Sequence, residues 1–252
     1  MKKILLPILT TFCALPLLAA EPIDDVKAAI KTLADKPNYT WVSTVKSPGA
    51  QFNAGPTTGR TEKNGFTFLT QQNNDQTTEV VLKSTNGVVK TEEGWKTAAE
   101  LPVPARGGAA GTGSNRSLMA GRFLLGTKTP ADFLGDLLGK VKEMKKGDGD
   151  FIAGTVSEEG AKELLTFRRR PGGNDPAPTP TNAKAILKVW LKGGQLAKYE
   201  LAVSGKMTFN ANERDIDRTT TVEIKDVGQT RVEPHDDAKK KLTEPAKEPV
   251  GR

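Results

Sequence analysis

"AILKVWLKGGQLAKYELAVSGKMTFN", residues 185–210, reads as two β-strands joined by a Gly-Gly turn. Apolar side chains recur at every second position in both strands, and polar side chains fill the alternate positions. The apolar positions are Leu187, Val189 and Leu191 in the first strand and Ala197, Tyr199, Leu201, Val203, Met207 and Phe209 in the second. The second strand is about twice the usual length, so it must curve, and we expect the bend at Gly205. The stretch therefore predicts an antiparallel sheet with one apolar face and one solvent-exposed face.

The N-terminal half of the chain predicts one helix followed by an antiparallel meander. Apolar residues recur at helical spacing from Ile23 to Leu33, and the helix is expected to stop before Pro37. Alternation begins at residue 39 and predicts a strand. Asn64-Gly65 and Asn86-Gly87 then predict hairpin turns, which pair residues 60–63 with 66–70 and residues 79–83 with 88–90.

The central region predicts helices between two loops. Residues 102–116 and 168–182 are rich in Gly and Pro and are expected to be loops. Between them we expect a helical pair over 118–144, whose second helix is capped by Thr129 and lined by Phe133, Leu137, Val141 and Met144. A strand at 151–156, a helix at 158–167 and, after the opening stretch, a return strand at 218–226 complete the pattern.

The first twenty residues have the pattern of a secretory signal. Lys2 and Lys3 precede an apolar run that ends in Ala19-Ala20, so cleavage is expected near Ala20, and a retained membrane helix is the alternative. The only cysteine, Cys13, lies inside this segment. The mature chain is thus expected to have no disulfide and no thiol nucleophile, and to reside in the periplasm or cell envelope.

Charge favours acidic partners and disfavours nucleic acid. The formal net charge is +7, and removing the two signal lysines leaves +5. Much of the excess lies in 168–170 and 239–241, which are either solvated charge runs or sites of attraction to an acidic envelope surface. No RNA- or DNA-reading motif is present, and an exported chain seldom meets nucleic acid.

The combined pattern predicts an α+β fold, in which a strongly curved antiparallel sheet, an open half-barrel, is covered by several helices. Residues 21–235 are expected to form this single domain, and residues 236–252 to form a polar, disordered tail. The covered hollow either packs solid or encloses a pocket, and periodicity does not distinguish the two. The oligomeric state is left open.

The sequence offers little for catalysis. The single histidine, His235, follows Pro234 near the polar tail, and there is no Gly-x-Ser-x-Gly turn. An EF-hand counted from Asp148 fails at Ile152 and Ala153. We therefore expect no enzyme, no metal and no cofactor.

The order of elements, with "KVWLKGGQLAKYELAVSGKMTF" and "RTTTVEIKDVGQTRVEP" near the end, resembles the LolA/LppX-like superfamily of bacterial envelope lipid and lipoprotein carriers. The resemblance in sequence covers mainly residues 183–234. It implies a half-barrel with a helical lid, whose apolar hollow takes acyl chains of a lipid or lipoprotein. The residues that it implies as the lining are Trp41, Phe66, Phe68, Leu82, Leu187, Val189, Leu191, Tyr199 and Leu201 on the sheet and Phe123, Leu124, Phe133 and Leu137 on the helices.

Three hypotheses follow from the sequence. The first is an exported, non-enzymatic protein that binds an apolar ligand in the half-barrel hollow. The second is an envelope scaffold with the same fold and a filled core, which binds a protein or wall polymer through its rim or basic loops. The third is a hydrolase with an unrecognised carboxylate site.

Overall fold

A computed structural model describes residues 21–48, 55–73, 76–102, 113–166, 179–209 and 212–243. Five helices occur in these ranges: α1 Pro22–Asp35, α2 Gly113–Leu124, α3 Pro130–Leu138, α4 Glu158–Thr166 and α5 Asp236–Thr243. The strands are β1 Asn38–Lys46, β2 Thr57–Glu62, β3 Phe66–Asn73, β4 Gln76–Lys83, β5 Asn86–Thr91, β6 Gly94–Thr97, β7 Val141–Lys146, β8 Phe151–Val156, β9 Thr179–Lys192, β10 Gln195–Phe209 and β11 Asn212–Lys225.

All eleven strands belong to one antiparallel sheet that does not close. Their order is β6-β5-β4-β3-β2-β1-β11-β10-β9-β8-β7, so β6 and β7 form the two edges. A single core cluster contains Val80 of β4 near one edge and Ile152 of β8 near the other, together with residues of α1, α2, α3 and α4. The sheet thus wraps around one core, which four helices cover. The predicted half-barrel of the α+β class is confirmed.

The long hairpin of β9 and β10 has the predicted alternation, but its irregularities differ in detail. The register shifts twice, between Leu196 and Lys198 and between Ser204 and Lys206. The first shift turns Leu196 into the core, where it is 3% exposed, and leaves Ala197 half-buried. The prediction that Ala197 lies on the apolar face is therefore corrected, and Leu196 takes that place. The second lies beside Gly205, as expected, but the extra residue is on β9, where Asn182 has φ +52°.

Gly205 instead makes room for a helix. A Cβ at this position would lie 2.6 Å from Cδ1 of Leu165 on α4 and 3.2 Å from Cα of Ala183 on β9. The missing side chain therefore lets α4 approach the inner face of the sheet closely.

The β4–β5 turn lies two residues before the predicted one. Lys83 pairs with Asn86, so the turn consists of Ser84 and Thr85, with Ser84 at φ +53°. Gly87 lies inside β5, where a Cβ would come within 2.6 Å of Leu82 and Leu125. Close packing of Leu82 and of Leu125, which follows α2, therefore requires a glycine at this position. The predicted Asn86-Gly87 turn is wrong.

The second central helix is shorter than predicted. Its start is confirmed, because the Thr129 side chain accepts a hydrogen bond from Asp132 N at 3.3 Å. It ends at Leu138, and Gly139 leads into β7, which pairs with β8. Val141 and Met144 therefore lie on a strand and not on the helix, and Met144 reaches the core at 6% exposure.

The C-terminal segment also departs from the prediction. Residues 236–243 form α5 and are not a disordered tail, and Ala238 packs fully buried against Val81 and Val88 on the outer face of the sheet. Lys241 Nζ donates a hydrogen bond to the Glu100 carboxylate at 2.7 Å, which links α5 to the segment after β6. Residues 244–252 lie outside the described residues.

The two predicted loops are partly replaced by regular structure. Helix α2 begins at Gly113, and β9 begins at Thr179, inside the ranges predicted as loops. Of the predicted loops, residues 103–112 and 168–178 lie outside the described residues, as do residue 167 of the predicted helix and the predicted signal at 1–20.

Gly59→Ala is predicted to destabilise the fold, because Gly59 pairs with Trp41 and a Cβ there would overlap the indole ring. We expect a loss of about 1–3 kcal/mol in the free energy of unfolding, measured by urea denaturation. Gly135→Ala in α3, where a Cβ meets nothing within 4 Å, is the control and should stabilise by up to ~1 kcal/mol. Equal stability of Gly59→Ala and the wild type would contradict this packing.

We predict that acid pH weakens the docking of α5 on the sheet. Bonds from Lys241 and from the Thr97 backbone lower the pKa of Glu100 from 4.5 to about 2. The folded-state pKa lies below the unfolded one, so this contribution is complete above about pH 4.5 and is lost as pH falls towards 2. Glu100→Gln should reduce stability at pH 7, and its difference from the wild type should shrink below pH 4.5. Glu92→Gln, an exposed control in the β5–β6 turn, should change stability by less than about 0.5 kcal/mol at either pH.

Candidate functional site

Most of the predicted lining residues meet beneath the helices. Eight of the thirteen are buried in the main core cluster: Trp41, Leu82, Leu124, Leu137, Leu187, Val189, Tyr199 and Leu201. Phe133 and Leu191 are partly buried and pack against the same cluster. In the described part of the chain, the inner surface of the half-barrel is therefore packed with its own side chains and with those of the covering helices.

Three predicted residues lie elsewhere. Phe66 and Phe68 face the outer side of β3 and pack in a second cluster beneath α5. The reason is the register of β3, which turns Thr67, Leu69 and Gln71 inward. Phe123 is 44% exposed, whereas its neighbour Leu124 is 2% exposed. These three side chains do not line the inner surface.

Helix α3 meets the sheet through aromatic side chains. The ring of Phe133 stacks on that of Tyr199, with centroids 6.1 Å apart and an interplanar angle of 20°. Tyr39 is 4% exposed and lies near Thr129 and Ala131 at the start of α3. Burial raises the pKa of both tyrosines, so both phenols stay neutral at physiological pH in an apolar setting.

The inner surface along β2 and β3 is largely polar, which sequence reasoning missed. Thr61 accepts a hydrogen bond from Trp41 Nε1 at 3.1 Å and lies 3.3 Å from the Thr67 hydroxyl. Further along, Gln71 Nε2 donates to Thr57 Oγ1 at 2.9 Å. The available signal was the recurrence of Thr and Gln at alternate positions of β2 and β3. The inner surface is thus aliphatic and aromatic along β8–β10 and hydroxylated along β2–β3.

Arg218 adds a positive charge to the inner surface. It pairs with Val203, whose side chain is buried in the core, and it donates a hydrogen bond to the Leu164 carbonyl of α4 at 3.2 Å. Burial lowers the pKa of its guanidinium. None of the described carboxylates forms an ion pair with it. The sequence signal was an arginine at an inward position of β11, which the predicted return strand left unassigned.

The described residues offer no cluster for a metal. Among them, no group of three or more His, Cys, Asp and Glu side chains is arranged to hold an ion. His235 is 59% exposed at its side chain, and its ring lies 5.9 Å from that of Trp95, beside α5. Across the same residues, no helix is both long and apolar enough to span a bilayer.

Thr61→Val is predicted to destabilise the inner surface, because the buried Trp41 N–H would lose its acceptor. An unsatisfied buried donor costs about 1–3 kcal/mol, which urea denaturation should detect. Thr58→Val, on the opposite face of the same strand, is the matched control and should change stability by less than about 0.5 kcal/mol. Equal effects of the two substitutions would contradict a specific role for the Thr61 hydroxyl.

Comparison with known proteins gives likenesses in structure and none in sequence. No protein-family model matches the chain, and no curated protein matches it. LprF from Mycobacterium bovis is 11% identical with a TM-score of 0.42, over 84% of this chain and 95% of that one. A LolA superfamily protein from Nitrosomonas europaea is 11% identical with a TM-score of 0.35, over 90% of this chain and 99% of that one. The second is from the group that the sequence resembles, and at such identities the likeness concerns the fold alone.

Proposed function

We propose that the protein is a non-enzymatic envelope protein that binds an apolar ligand, a lipid or an acylated polypeptide, between its sheet and its covering helices. The observation that carries the proposal is the shared apolar surface: side chains of four helices and of the inner face of one open sheet meet in a single cluster. The first twenty residues support export, because they have the composition of a secretory signal. The resemblance to envelope carriers agrees with this function.

Binding requires the hollow to open, and α3 is the element suited to move. It follows Gly126 and precedes Gly139, which can absorb changes in backbone angles at either end. Separating Phe133 from Tyr199 would uncover the part of the inner face of β10 that lies beside α3, whereas α1 and α4 would still cover other parts of β9 and β10. An acyl chain entering there would replace the contacts that the α3 side chains make in the closed state.

The second candidate is a scaffold or interaction protein with a filled core. The observation that favours it is the burial of eight predicted lining residues against one another. In this function the inner surface is only a core, and binding to a protein or wall polymer uses the rim or the basic segments. The two functions differ in whether an apolar ligand reaches the inner face.

The three tryptophans provide a test of the proposed function. Trp41 faces the hollow at 3% exposure, whereas Trp95 and Trp190 lie on the outer face. A variant with Trp95→Phe and Trp190→Phe retains Trp41 as the only tryptophan, whose fluorescence is excited selectively at wavelengths that tyrosine does not absorb. We expect dibrominated stearic acid to quench Trp41 saturably, because bromine quenches an indole only at short range. We also expect native mass spectrometry to detect retained lipid.

The matched control retains Trp190 alone, through Trp41→Phe and Trp95→Phe. Monomeric dibrominated stearic acid should quench it only weakly, because β9 turns this indole away from the hollow. Absence of saturable quenching of Trp41, together with absence of retained lipid, would overturn the carrier function and favour the filled core. Urea denaturation of both variants verifies that each is folded.

A further inference from the structure

The outer face of β8, β9 and β10 carries an aromatic and lysine cluster. Phe151 pairs with Trp190 across β8 and β9, with ring centroids 5.4 Å apart. Lys198 Nζ lies 3.8 Å from the Trp190 centroid, and Lys188 Nζ lies 5.4 Å from the Phe151 centroid. Ile186, on the same face, is 46% exposed. We call these five residues the aromatic–lysine patch.

The two aromatic clusters on the outer face of the sheet differ in whether a helix covers them. Phe66, Phe68 and Trp95 on the β3–β6 sector are packed against α5, which shields them from water. The aromatic–lysine patch is covered by no helix within the described parts of the chain. Two large rings and an isoleucine thus remain half-buried or exposed on the solvent side, where lysine stems and, at Phe151, the turn residues Gly147 and Gly149 shield them in part. Adjacent exposed apolar side chains with a polar rim are typical of an interaction surface.

The charge around the patch is positive. The segments 141–156 and 179–209, which form β7–β10 and their turns, contain eight lysines and four carboxylates. Two of those carboxylates are already ion-paired within the sector, Glu143 to Lys145 at 2.9 Å and Glu200 to Lys188 at 3.5 Å. The other two, Asp148 and Asp150, lie in the β7–β8 turn. Two carboxylates of the adjoining β11 also lie against this sector: Glu213 is ion-paired to Lys206 at 2.9 Å, and Glu223 pairs with Lys198 across the strands. The remaining surplus of two positive charges makes this sector complementary to an anionic partner.

We propose that the aromatic–lysine patch docks the protein on the surface of an anionic lipid bilayer. Tryptophan and other aromatic rings favour the headgroup layer, and lysine stems can lie along apolar material while their ammonium groups reach phosphates. Each lysine near an anionic bilayer contributes about a five-fold gain in affinity. A soluble polyanion would use the lysines alone, and it would leave the rings and Ile186 without a partner.

The aromatic–lysine patch lies on the face of the sheet opposite to the hollow, and it does not depend on the hollow. On β9, Lys188 and Trp190 point outward while Leu187 and Val189 point inward, because successive side chains of a strand alternate in direction. Docking by the outer face would therefore leave the inner face and α3 unobstructed. The proposal would stand for either the carrier or the filled-core function.

The test measures binding of the full chain to vesicles by sedimentation. We expect binding to vesicles of phosphatidylcholine with 30% phosphatidylglycerol, and at least ten-fold weaker binding to phosphatidylcholine alone or in high salt. Lys188→Gln with Lys198→Gln should weaken binding about twenty-five-fold, at about five-fold per lysine. In the variant that retains only Trp190, phosphatidylglycerol vesicles containing brominated phosphatidylcholine should quench the fluorescence.

The matched control removes two lysines from the other outer sector. Lys83, whose Nζ lies 5.2 Å from the Phe66 centroid, and Lys90 are both changed to Gln, which gives the same change in net charge. Binding should fall less than two-fold. An equal loss in both double variants, with each folded by circular dichroism, would overturn the patch and indicate attraction by net charge. Binding to soluble polyglutamate with no vesicle binding, or no quenching of Trp190 on bound vesicles, would also overturn it.

Discussion

The pairing of β10 with β9 and β11 is the constraint on which the rest of the structure depends. Each of these strands spans fourteen or fifteen residues, and together they join the N-terminal meander to β7 and β8 in one sheet. Because the sheet stays open, its apolar inner face has to be covered by other elements. Four helices supply that cover, and two glycines, Gly205 and Gly87, allow α4 and the residue after α2 to pack closely on the sheet.

Elements with a strong period and a local boundary signal could be predicted from sequence. The first helix, β1, the β2–β3 hairpin, β8 and the β9–β10 hairpin all have such signals, as at Pro37 and Asn64-Gly65. The errors occur where packing overrides a local signal. Gly87 resembles a turn residue because of Asn86, but it is needed inside a strand next to Leu125. Met144 fits a helical face, but pairing with β8 places it on a strand.

The residues of the candidate site also divide into those that the sequence pattern predicts and those that it does not. Inward residues of the long strands, such as Leu187 and Tyr199, follow from alternation, because one register fixes every side chain of a strand. Phe66 and Phe68 do not follow, since either face of β3 could be buried, and α5 covers the face opposite to the predicted one. Alternation also gave no reason to expect that a short, highly charged C-terminal helix would dock through Ala238 and Leu242.

Under the proposed carrier function, the packing of α3 limits which ligand could open the hollow. Moving α3 away would expose Leu134, Leu137 and Leu138, which are at most 7% exposed in the described structure. At about 1.5–3 kcal/mol for each side chain, exposure of the three costs roughly 5–9 kcal/mol. Each buried methylene of an acyl chain returns about 0.8 kcal/mol, so about six to eleven methylenes are needed to offset that cost. A short-chain acid is therefore too small to hold α3 open, whereas a chain of membrane-lipid length has methylenes left to supply net affinity.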